Sequence, residues 1–117
     1  MIVKKYDEVE KEEIKTGGAK NIFVRWLIGE DSNAPNFYMR FFEVEPGGHS
    51  PFHSHPFEHE VYVVEGKGQL ITEDKPIPLE KGSFALVVPG EKHQFVNKGD
   101  ATFKFLCMIP VSSVGRK

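Results

Sequence analysis

The chain has 117 residues, a formal net charge of −2 and no block of Lys or Arg, which sets an expectation of one domain and gives neither nucleic acid nor an anionic membrane surface a reason to bind. No apolar run reaches the length of a membrane span or a signal peptide, and the single cysteine, Cys107, has no partner for an internal disulfide. A cytoplasmic protein that handles a small molecule is the expectation.

In chain order, the first segment, YDEVEKEEIK, is too charged and too weakly periodic for more than a helical turn or two, and reads as a solvated edge element. Six runs rich in Val, Ile and Phe follow: NIFVRWLIG, NFYMRFFEVEPGG, EVYVVEGKGQLIT, GSFALVVPGE, HQFVNKGD and TFKFLCMIPV. Gly or Pro separates most of them, and this spacing predicts an all-β sandwich or barrel with little or no helix.

Side chains alternate between the two faces of a strand, so each run predicts an inner and an outer set. In NFYMRFFEVE, the carboxylates Glu43 and Glu45 mark the outer face, together with Phe37, Met39 and Phe41. Tyr38, Arg40, Phe42 and Val44 then point inward. An inward arginine needs a partner, because an unpaired buried charge is costly. An ion pair, an interface contact and an anchor for an anionic group on a ligand all meet that need. In TFKFLCMIP, an outward Lys104 places Phe103, Phe105, Cys107 and Ile109 inside, with Cys107 a buried small hydrophobe. The apolar outer face of Phe37, Met39 and Phe41 predicts a homodimer through this sheet, with the N-terminal strand MIVKKY exchanged.

Four of the five histidines fall within HSPFHSHPFEHEVYVVEG, from His49 to Gly66. His53 and His55 are one residue apart, so on extended backbone their imidazoles project to the same side as a pair of metal ligands. Pro56 forces a short turn before His59, and His93 follows VVPGEK far downstream, before another strand. Position 59 raises a choice between His59 and Glu60. His59 shares a strand face with Val61 and Val63, and Glu60 shares one with Tyr62 and Val64, so hydrophobicity leaves both open. Cost favours His59, since an outward glutamate is solvated and an inward histidine gains the metal as a partner.

Gly47, His53, His55, position 59 and Gly66 resemble the first motif of the cupin superfamily, G-x5-H-x-H-x3,4-E-x6-G, over residues 47–66. Gly82, Gly90, His93 and Asn97 resemble the second, G-x5-P-x-G-x2-H-x3-N, over residues 82–97, with Val88 where proline is usual. The family's glutamate is replaced by His59. With APNFYMRFFEVEPGG before the first motif and FLCMIP near the end, the chain is similar to the small single-domain four-histidine manganese cupins known from thermophiles.

The resemblance implies a single cupin domain over 1–117, a jelly-roll barrel with His53, His55, His59 and His93 around one divalent transition metal. It favours Mn2+, whereas an all-imidazole site suits Fe2+, Ni2+, Cu2+ or Zn2+ on ligand softness. Arg40, Phe42, Phe95, Phe105, Cys107 and Ile109 are the expected lining of a substrate pocket. His49 has no counterpart among cupin ligands. A metal-dependent oxidoreductase of dioxygenase type is expected, acting on a small, partly apolar molecule that chelates the metal. The alternatives are a sugar or keto-acid isomerase or lyase, and a non-catalytic small-ligand-binding cupin.

Overall fold

Residues 1–114 are described by a computed structural model in which nine strands carry nearly all the regular structure. They are β1 (Glu12–Glu13), β2 (Lys20–Ile28), β3 (Phe37–His49), β4 (His59–Glu65), β5 (Lys67–Ile71), β6 (Pro76–Glu80), β7 (Phe84–Val87), β8 (Gln94–Val96) and β9 (Phe103–Pro110). Helix among the described residues is limited to three 3-10 turns, at Tyr6–Glu8, Glu30–Ser32 and Val111–Val114.

The strands join antiparallel in the order β6-β5-β8-β3-β9-β4-β7, with β2 also on β3 and β1 on β2. The 13-residue β3 bends between the two halves. Its first eight residues pair with β9, and its last, His49, pairs with Val96 of β8. The result is an all-β barrel, as the spacing of the runs predicts, in the jelly-roll form that the resemblance implies.

Two details depart from the reading of the runs. EVYVVEGKGQLIT is two strands broken at Gly66, which has φ of +84° and where any Cβ would collide with the Thr102 carbonyl, so only glycine serves. Freed there, β4 pairs with β9 and β7 while β5 pairs with β6 and β8. The strand β6, PIPLE, carries two prolines and is not among the predicted runs. It pairs only with β5, at an edge of the sheet, where a missing N–H is tolerated.

The inner face follows the alternation. Tyr38, Phe42 and Val44 of β3, Val61 and Val63 of β4, and Phe103, Phe105, Cys107 and Ile109 of β9 are all buried in one cluster. Phe105 stacks on Phe42 with centroids 5.1 Å apart and meets Phe95 at 4.7 Å, which tightens the barrel beneath its mouth. The outer face of β3 is not the bare patch expected. The Tyr6 ring lies 4.5 Å from that of Phe41, and Glu43 is buried in ion pairs with Arg25 at 2.8 Å and Lys11 at 3.6 Å. The chain's own N-terminal segment thus covers much of that face, leaving Phe37 exposed. No helix among the described residues is long and apolar enough to cross a membrane.

Candidate metal centre

The histidines meet at the barrel mouth because backbone pairing brings two distant segments together. His53 and His93 form an isolated antiparallel bridge, each donating its N–H to the other's carbonyl, at 3.1 and 3.0 Å. Gly90, with φ of +85°, turns the chain ahead of His93 and donates its N–H to the His55 carbonyl at 2.8 Å. Behind this bridge Ser50 exchanges main-chain and hydroxyl hydrogen bonds with Phe95, and Asn97, fully buried, donates to the carbonyls of Val44 and Ala101. The motif asparagine therefore fixes the loop after β8 to β3.

One ring nitrogen each from His53, His55 and His93 lies within 4.8 Å of the others. Three imidazole nitrogens gathered this closely are a candidate set of ligands for one ion. The hydrogen bonds also decide which nitrogens are available. His55 Nδ1 lies 2.8 Å from the Phe57 carbonyl and His93 Nδ1 lies 2.8 Å from the Glu91 carbonyl. A carbonyl only accepts, so both Nδ1 atoms carry the proton and both Nε2 atoms carry the lone pair. Both Nε2 atoms are buried and have no hydrogen-bond partner. A buried acceptor left unmet is costly, and a metal is the partner that suits a cluster of neutral imidazoles. The residues present fit a metal ion on this ground.

His59 starts β4 on the inner face, buried beside the trio, while Glu60 is exposed on the outside. Its ring stacks on His55 at 4.3 Å and meets His93 edge-on at 5.2 Å. Its Nδ1 lies 3.3 Å from Cys107 Sγ, and Arg40 Nη2 donates to the same sulfur at 3.2 Å. Burial, then the Arg40 charge, then the neighbouring histidines push the His59 pKa down to about 2. Burial is also the main cause holding His53 and His55 below the usual imidazole value. The same desolvation raises the Cys107 thiol, with Arg40 pulling the other way. His53, His55 and His59 are thus kept neutral and ready for a cation.

The histidines open into a cavity of about 620 Å3, whose lining includes Arg40, Phe42, Phe95, Phe105 and Cys107. Ile109, expected there, is not part of the lining. It sits two residues beyond Cys107 on β9, opposite Tyr38, in the solid core, since a strand advances about 3.3 Å per residue. Sequence reasoning missed Ile14, Thr16 and Gly17, which reach the cavity from the charged N-terminal stretch, and Phe57, stacked on His55 at 4.0 Å. Phe57 was legible in HPFEH as an apolar residue between two ligand candidates; Ile14 carried no periodic signal. His49 stands outside the lining, near Gln94 and the Ser50 carbonyl.

The Cupin domain family model matches residues 40–109. The polyketide cyclase RemF from Streptomyces resistomycificus superposes with a TM-score of 0.90 at 34% identity, covering 95% of this chain and 80% of that one. An oxalate-binding protein from Thermotoga maritima is 26% identical over 93% of both chains. A 1-methylthio-D-xylulose 5-phosphate methylsulfurylase from Rhodospirillum rubrum is 33% identical over 61% of this chain, which spans 46% of that protein.

Proposed function

The chain belongs to the cupin family, and from that premise we propose that it is a metal-dependent enzyme whose substrate is a small, partly apolar carbonyl or enol compound bound as a chelate. The observation that carries the reading is the pair of buried, lone-pair-bearing Nε2 atoms of His55 and His93 at the mouth of an apolar-walled cavity. His53 and His59 complete the proposed ligand set. His59 would take part through Nε2, since Nδ1 is engaged with Cys107 Sγ. Mn2+ is the first candidate, then Fe2+, Ni2+, Cu2+ or Zn2+.

A divalent ion there would supply Lewis acidity to the substrate's oxygen atoms. The chain supplies the rest. Phe42, Phe95 and Phe105 shape a dry wall for a flat molecule, and the neutral histidines leave the ion's charge undiminished. The proposed reaction is proton transfer between solvent water, which takes up and returns the proton, and a carbon made acidic by chelation, as in isomerase, lyase or cyclase chemistry, and the likeness to a polyketide cyclase supports it. To test it, a 1,3-dicarbonyl compound, acetylacetone, is incubated without oxygen in D2O with metal-loaded protein. Carbon-bound deuterium uptake should outpace that caused by the free ion and disappear in a His55→Ala/His93→Ala variant. Equal rates with free ion would sink the reading.

Dioxygenase chemistry on the same chelate is the second reading, favoured by the absence of any Asp or Glu from the described lining, which leaves no carboxylate base. It predicts oxygen uptake in step with substrate loss, measured with an oxygen electrode. We also propose a homodimer. Exposed Phe37, Tyr62, Phe84 and Leu86 support it as an apolar outer surface, and a monomer by light scattering at micromolar concentration would contradict it.

A further inference from the structure

We propose that Arg40 is a substrate-anchoring residue that selects chelating ligands bearing a carboxylate. This rests on the chelation reading above and adds the substrate's charge to it.

Three observations converge. Arg40 lines the cavity beside the histidines, yet among the described residues no carboxylate lies within salt-bridge distance of it. The buried charge on the other face of β3 is treated differently: Glu43 is matched by both Arg25 and Lys11. The Arg40 guanidinium instead lies over two aromatic rings, its carbon 4.9 Å from the Phe42 ring centroid and 5.5 Å from that of Trp26. Its hydrogen-bonding edge is mostly unused. Nη2 donates to Cys107 Sγ, Nε is buried without an acceptor, and Nη1 has no protein acceptor among the described residues.

The third observation is the charge of the whole lining. It contains four histidines, one arginine and no acidic side chain. A divalent ion on neutral imidazoles beside a guanidinium therefore leaves positive charge that the protein does not balance, and the ligand must bring the anion. A planar carboxylate matches the planar fork of a guanidinium better than any neutral group does. A cavity of about 620 Å3 has room for one ring with a chelating edge and a carboxylate at the other end.

The test compares two ligands of equal shape, 3,4-dihydroxybenzoate and 3,4-dihydroxybenzamide, titrated into Mn-loaded protein. Trp26, the chain's one tryptophan, stacks on Arg40 and reports binding by its fluorescence. The benzoate should bind about tenfold more tightly or better, as expected for a charged hydrogen bond. Arg40→Met should abolish the preference with metal content unchanged, and Arg40→Lys should keep part of it. Equal affinity of the pair for the wild-type protein would overturn the assignment while leaving chelation intact, and needs no variant to fold. If neither catechol binds, benzoate against benzamide in metal-free protein separates the two readings. A benzoate preference lost in Arg40→Met keeps Arg40 and removes chelation, and no preference removes Arg40 as well.

Discussion

On one side of the cavity mouth His55 and His93 are oriented by main-chain carbonyls two residues away, those of Phe57 and Glu91. On the other, His59 is oriented through side chains, by Cys107, which is held in turn by Arg40. The carbonyls come with the backbone path and survive any substitution that keeps the loop in place. The sulfur and the guanidinium are removed by a single substitution. The same imidazole chemistry is thus built once from the fold and once from sequence, and the two supports should fail differently.

The largest effect should follow loss of a backbone-oriented ligand itself. His93→Ala is expected to lower metal affinity by roughly 100-fold or more, read by titration against a competing chelator, since it removes a lone pair and not only its orientation. Loss of the side-chain support comes next. Cys107→Ala should weaken metal binding by about 10- to 100-fold, the range for an outer partner of a ligand, and lower stability by about 1–3 kcal/mol because it leaves buried polar atoms of His59 and Arg40 without their partner. Glu91→Ala should change affinity by less than about threefold, because it is the Glu91 carbonyl, not its side chain, that holds His93. Equal effects of Cys107→Ala and Glu91→Ala would erase the distinction.

The mildest effect is on acid stability of the metal-free protein. His53, His55 and His59 have folded-state pKa values below that of the unfolded chain, so between those values the unfolded state binds more protons. Stability is complete above about pH 6.5 and declines as pH falls below it, with the His59 share extending toward pH 2. His59→Gln should flatten the slope of denaturation free energy against pH below 6.5. An unchanged slope would show that His59 is not the buried neutral group described.

Much of the architecture was readable because strand alternation is a local property. Lys104 outside, with Phe105 and Cys107 inside, follows from counting along a single strand, and His59 inside with Glu60 outside follows once the cost of burying a carboxylate is added. What could not be read depends on pairing across the chain. The cavity lining ends between Cys107 and Ile109, where Ile109 packs in the core beside its register partner Tyr38, and one strand alone does not show that. The cover over Phe41 depends on Tyr6, 35 positions earlier, in a stretch with no periodicity. The link from Arg40 through Cys107 to His59 joins three strands, and the inward parity of each residue was legible while their meeting was not.

Elemental analysis of the purified wild-type chain and of a His55→Ala/His93→Ala variant prepared in parallel tests the histidine cluster most directly. One divalent transition-metal ion per chain is predicted for the wild type, and none for the variant. A wild-type chain that binds no transition metal when supplied with Mn2+, Fe2+ and Zn2+, or a variant that retains the same metal content, would contradict the metal centre.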